Sequence, residues 1–181
     1  TGDGKGLFAT DHPGKSTGVA VQSNVFTNPF GSNATMLYII ANIGRNFKNQ
    51  SGNVMGYEYD TIVLPGNVPD LEDLCKRIIH SSQIVGSDYN DINTQKGNWK
   101  LVIDHRWIAA AGTKPYTILS SEAQRELNAG VFFDRVALDV ANEVDINSRN
   151  LKWSGYARWS AGFYDWRFAI MGGAQAGTTL S

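Results

Sequence analysis

Between residues 151 and 163 the odd positions are apolar or glycine (Leu151, Trp153, Gly155, Ala157, Trp159, Ala161, Phe163), whereas Lys152, Ser154, Tyr156, Arg158 and Ser160 hold even ones. Alternation of this length predicts a long strand with one dry face and one wet face. After Phe163 the apolar phase moves to Tyr164, Trp166, Phe168 and Ile170. A reversal of faces implies a tight turn or bulge near 162–165, with a second long antiparallel strand following it. A ten-residue strand reaches roughly 35 Å, more than a compact core of this chain length needs, so the ribbon reads as an arm that reaches toward something.

Upstream the pattern changes. Residues 1–32 are rich in Gly, Ser, Thr and Asn and hold no lasting period, which predicts a connecting loop around one short strand at 18–21. Met36, Ile40, Ile43 and Phe47 recur at helical spacing behind a cap at Ser32 or Asn33, and Gly44 weakens that helix slightly. The run TIVL at 61–64, closed by Pro65 and Gly66, predicts a short central strand. A second helix follows, because Leu71, Leu74, Cys75, Ile78 and Ile79 form one stripe, Glu72/Lys76 and Asp73/Arg77 are favourable pairs, and Asn67 or Asp70 supplies a cap. Polar turn residues fill 83–97, and WKLVID at 99–104 alternates as a strand. Strands at 116–119 and 136–141 flank a helical turn at 121–127, and the small polar tail 175–181 is expected to fray. The fold class is α+β, divided into a connecting segment at 1–32, a body at 33–141, a β-arm at 142–173 and a tail at 174–181.

Composition narrows the possible functions. The 181 residues include 16 Lys plus Arg and 17 Asp plus Glu, a formal charge of -1, so the electrostatic footprint of a protein that grips nucleic acid through its phosphates is missing. A charged fraction of 18% and 19 glycines suit a β-rich protein whose surface is partly covered by partners. The single cysteine, Cys75, forms no internal disulfide, and no apolar run approaches the roughly 20 residues that span a bilayer, which makes a cytoplasm the default site of synthesis and excludes a membrane partner. The opening TGDGKGLFATDHPGK lacks a methionine and reads as an interior segment.

Several near-motifs fail on spacing. Gly14-Lys15-Ser16 lacks the glycine that a phosphate-binding loop needs five residues before Gly14, where Ala9 stands, and Thr17-Gly18 follows in place of a helix. Asp88, Asn90, Asp91 and Asn93 imitate a calcium loop, yet Ile92 or Val102 falls where an oxygen ligand is required. His12, His80 and His105 are scattered with no metal-ligand spacing, and Cys75 lies on an apolar stripe where a buried thiol is the ordinary reading. Asp11-His12 and Asp104-His105 are sequence neighbours, which seldom face one another as a base and its orienter. No catalytic, cofactor-binding or metal-ligating residue is assigned, and the chain is not expected to be an enzyme. A stacking platform for sugars, built from Trp153, Tyr156, Trp159, Tyr164 and Trp166 near Asn150 and Asp165, is the rival from another class. Trp153 and Trp159 share the dry face, however, so packing inward or against a partner is preferred.

The ordered series LFATDHP, TMLYIIANIGRNF, DTIVLPGNV, NDIN with KGNWKLVID, VFFDRVALDV and GYARWSAGFYDWR resembles the C-terminal part of tailed-bacteriophage major capsid proteins with the Hong-Kong-ninety-seven-type fold. The resemblance runs from Leu7 to Gly173 and is most specific at 158–167. It implies an axial domain, a sheet flanked by helices, over 33–118, and a peripheral-domain long β-hairpin in 150–171. The family's N-terminal arm, extended loop and spine helix have no counterpart in this sequence, so the chain looks like the C-terminal portion of a coat protein. The implied function is that of a structural virion subunit, made in the host bacterial cytoplasm. It would self-assemble as hexamers and pentamers into an icosahedral capsid around double-stranded DNA held as non-specific cargo, with no cofactor. An encapsulin-like compartment shell shares the fold. Shell proteins work through aromatic and arginine anchors on rigid elements, which singles out Trp153, Arg158, Trp159, Asp165, Trp166 and Arg167 as contact or arm-structuring residues. Arg158 either pairs with a neighbour's carboxylate or is solvated, and Asp165 and Arg167 either face a partner or fix the turn internally.

Overall fold

The computed structural model describes residues 1–14, 19–27, 30, 35–84, 91–145 and 147–173. Helix α1, Thr35–Arg45, buries Leu37, Ile40 and Ala41, and Gly44 continues that stripe one turn on. The close approach of Tyr59 explains the glycine: a Cβ at Gly44 would lie 2.1 Å from a Tyr59 ring carbon. The expected caps Ser32 and Asn33, the Lys15-Ser16 loop, Asp88 and Asn90, and the tail 174–181 lie outside the described residues. Of the expected strand at 18–21, residues 19–21 are not in a strand; the segment instead meets the rest of the chain through isolated bridges at His12–Gln22 and Val25–Met171.

Strand β1, Thr61–Pro65, is followed by helix α2, Pro69–His80, which crosses over to the parallel strand β2, Lys100–Asp104. Neither expected cap of α2 serves. Val68 occupies the cap position without a side-chain bond, and Pro69 opens the helix, where its missing N–H costs nothing. Asn67 instead clamps the loop after β2, donating to the Ala109 carbonyl at 2.9 Å and accepting from its N–H at 2.8 Å. Asp70 pairs with Lys114, and the ion pairs Glu72–Lys76 and Asp73–Arg77 form on the outer face as their spacing requires.

Strand β3, Tyr116–Leu119, runs antiparallel to β1, and a short helix α3, Ser121–Glu126, follows with Ser120 as its cap. Strand β6, Ala169–Gly172, closes the sheet beside β3, giving the order β2-β1-β3-β6. Ile62, Ile118 and Ile170 form one row across three strands and belong to a single core with Leu37 and Ile40 of α1 and Leu71, Cys75 and Ile78 of α2. Leu119 and Ala169, on the opposite face, join Ala123, Ala129, Tyr57 and Phe168 in a smaller cluster. The architecture is α+β.

The remaining strands stand apart. Among the described residues, strand β4, Gly130–Val144, and strand β5, Leu151–Phe163, pair only with each other, as an antiparallel hairpin with bulges between Asp134 and Asp139. This corrects two expectations. The partner of 151–163 is the preceding run 130–144, longer than the expected 136–141 strand, and a division at 141/142 would cut it. Residues 164–168 bend back instead of forming a second arm strand, and the chain re-enters the body sheet as β6. Residues Trp166–Gly172 are continuously buried rather than alternating, as a strand covered on both faces requires.

Candidate functional site

Residues directly opposite in an antiparallel pair share a face, so the hairpin register sorts its side chains. Phe163 opposes Gly130, Ala161 opposes Phe132, Trp159 opposes Asp134, Gly155 opposes Val140, Trp153 opposes Asn142, and Leu151 opposes Val144. Leu138 lies 3.7 Å from the position of a Cβ at Gly155, which places it on this face too. The bulges therefore keep the apolar phase of β4 aligned with that of β5 across an irregular register. The opposite face carries Phe133, Val136, Asp139 and Glu143 against Ser160, Arg158, Tyr156 and Lys152.

The apolar face is uncovered. Trp153, Trp159 and Leu138 are 65%, 67% and 71% exposed, and Phe132, Val140, Val144, Leu151 and Phe163 are exposed with them. Some order is local: the Phe132 and Trp159 rings stack at 5.8 Å, and Lys152 bonds Asp145 at the tip, lowering its carboxyl from the ordinary value. These exposed apolar residues share one face of the hairpin, interrupted by Asp134 and Asn142, rather than lying scattered. Arg158 stands on the wet face opposite Val136, and among the described residues no carboxylate pairs with it.

The base of the hairpin is anchored. Phe163 stacks at 5.9 Å on the buried Phe168, the Tyr164 N–H donates to the Ala129 carbonyl at 2.7 Å, and Gln124 donates to the Gly130 carbonyl at 3.0 Å. Asp165 accepts from the Arg167 backbone N–H and guanidinium, both at 2.8 Å, and so fixes the bend internally. Arg167 is buried. Its Nε donates to the Lys48 carbonyl at 2.8 Å, its guanidinium lies 4.7 Å from the Trp166 ring centroid, and its own carbonyl accepts from the Tyr59 hydroxyl at 2.5 Å. Burial pushes that hydroxyl far above the ordinary phenol range. Trp166 is 3% exposed, stacked on His12 at 4.2 Å and edge-on to Phe47 at 5.0 Å. The six residues singled out by sequence thus separate: Trp153, Arg158 and Trp159 stand on the free hairpin, while Asp165, Trp166 and Arg167 form the joint that holds it to the body.

A scan against family models and a search of curated proteins found no match. Cys75 is fully buried, and burial pushes its thiol up to about 12, which describes packing material and not a nucleophile. Sequence reasoning missed the apolar side chains of β4, whose alternation is broken by the bulges, and it treated His12 as an ordinary scattered polar residue. Asn24, fully buried among backbone groups, gave no sequence signal.

Proposed function

We propose that this chain is the C-terminal portion of a phage major capsid subunit, with the hairpin as the element that lies against sister copies in an icosahedral head enclosing double-stranded DNA. The observation that carries the reading is the uncovered apolar face of β4 and β5, set on an anchored base. A strand of 15 residues extends about 50 Å at ~3.3 Å per residue, far enough to cross a neighbouring subunit. Burying such a face removes apolar area from water at roughly 25 cal/mol per Å², and repetition of one contact around symmetry axes closes a shell. The order of segments resembling coat proteins supports the same assignment of the body to the axial domain and the hairpin to the peripheral domain.

The test is electron microscopy of particles from the complete coat gene, with Trp153→Ser and Trp159→Ser beside the parent. Closed shells from the parent and their loss in the variants are expected; intact shells with both tryptophans gone would remove the hairpin face from the contacts. One feature favours a second reading, glycan binding: Asp134 and Asn142 stand opposite the exposed Trp159 and Trp153, placing a polar group beside each ring. Retention of the chain on a glycan array, with a monomeric mass at high concentration, would select that reading.

A further inference from the structure

Each face of the hairpin carries a charge with nothing to balance it. Asp134 stands on the dry face opposite Trp159, and Arg158 stands on the wet face opposite Val136. Both are exposed, and among the described residues neither side chain has an ion-pair or hydrogen-bond partner. Arg135, beside Asp134 in the bulge, does not pair with it either. The register puts the two charges level with one another, because the rows Asp134/Trp159 and Val136/Arg158 are consecutive along β5, a step of about 3.3 Å.

Asp134 decides what can cover the dry face. None of the positions that the register assigns to that face is a Lys or Arg. Packing it on the same face of a second copy would therefore bury two carboxylates with no cation to compensate them, at a heavy desolvation cost. A suitable cover brings apolar surface and a cation together at the level of Trp159, and the wet face of the same hairpin has both. Phe133 meets Tyr164 edge-on at 6.4 Å near the base, Val136 and Tyr156 are exposed beyond it, and Arg158 is the cation. The acids of the wet face, Asp139 and Glu143, lie farther toward the tip. There Asn142 interrupts the dry face one row from Glu143, an amide donor for a carboxylate acceptor.

We propose that the hairpins of successive copies stack dry face on wet face, with Asp134 of one copy paired to Arg158 of the next. The stack rests on the reading of the hairpin as a contact between sister copies and specifies which surfaces meet. Stacked sheets lie about 10 Å apart, a gap that an arginine and an aspartate reaching toward each other close. The second match, Asn142 over Glu143, requires the hairpins to point the same way. With only one residue of offset along the strand, the contact repeats from copy to copy without slipping. It is heterologous, each copy giving one face and receiving on the other, and it closes into a ring where the rotation between copies divides a full turn. The charges set the register of the stack, while buried apolar area supplies the affinity.

Sedimentation of the 181-residue chain over rising concentration tests it. The parent is expected to self-associate. Asp134→Lys and Arg158→Glu should each weaken association about tenfold or more, and the double variant, which exchanges the two charges, should return to within about threefold of the parent. An equimolar mixture of the two single variants should associate as well, since each then offers the charge the other needs. A parent that stays monomeric, an Arg158→Glu chain that associates like the parent, or a double variant no stronger than the singles would each overturn the stack. Stacking by a chain whose complete coat gene yields no closed particles would keep the stack and remove the head. Closed particles that form equally with either reversal would keep the head and remove the stack.

Discussion

The body and the arm carry the same kinds of apolar side chain at opposite exposures. Ile62, Ile118 and Ile170 line a row that is fully buried, while Leu138, Trp153 and Trp159 line a row in water. In the body, each apolar stripe finds its complement within the chain, α1 and α2 against the sheet. In the arm, the two strands satisfy each other's backbone and leave their apolar face without a complement among the described residues. The difference teaches that alternation encodes a face and not its cover. A strand of the body sheet is stabilised by burial, whereas the arm is held by cross-strand pairs and by its base, and its face contributes only when another surface arrives.

The sharpest way to break that comparison is with tryptophans. Trp166→Ala, in the joint, is expected to cost about 3–5 kcal/mol of folding stability, while Trp159→Ala in the dispersed chain is expected to cost under about 1 kcal/mol. Urea melts of both variants decide it, and equal losses would mean that the arm is covered. A smaller effect is expected at Gly44, whose replacement by Ala improves helix propensity yet drives a methyl into Tyr59. The net is destabilisation of about 1–3 kcal/mol, and an unchanged or raised denaturation midpoint would show that the helix can move away from the ring.

Acid sharpens the role of the segment 1–14. Because Asp3 is depressed in the folded chain, its contribution is fully present above the ordinary aspartate value of about 4 and is lost as pH falls below it, since the unfolded chain takes up the proton first. Asp3→Asn is expected to flatten that part of the acid limb, measured as urea midpoints from neutral pH downward; an unaltered limb would detach Asp3 from the body's stability. The smallest expected signal is at Cys75. With its thiol raised to about 12 and no exposure, it should react with a thiol reagent only at the rate of opening of the core. Rapid labelling of the native chain would show that the packing around α2 is loose.

Helix α2 was legible, apart from its cap, because its stripe and its ion pairs lie within four residues of one another, and local spacing is all that a helix needs. Strand β5 was legible for the same reason, down to its ends. Its partner was not. The runs 130–144 and 164–170 both offer apolar residues to pair with it, and choosing between them depends on bulges and on where Phe168 and Ile170 are drawn in packing, which the pattern of one strand does not carry. Of the candidate residues, Trp153, Arg158 and Trp159 were placed on a long strand from the sequence. The inward fate of Trp166 was hidden because its neighbours are His12 and Phe47, more than a hundred positions away in the chain.

Taken alone, the order of residues determined helices α1 and α2, strands β1 to β3, the two faces of β5, a cysteine on the apolar stripe of α2 and a formal charge of -1. Tertiary structure alone decided that β4 pairs with β5, that Asn67 brackets Ala109 instead of capping a helix, that Arg167 turns inward, and that His12 meets Asp3 and Asn24. The division has one physical cause. Secondary structure answers to periods of two and 3.6 within a short window, whereas pairing, burial and protonation depend on groups brought together only when distant parts of the chain have packed.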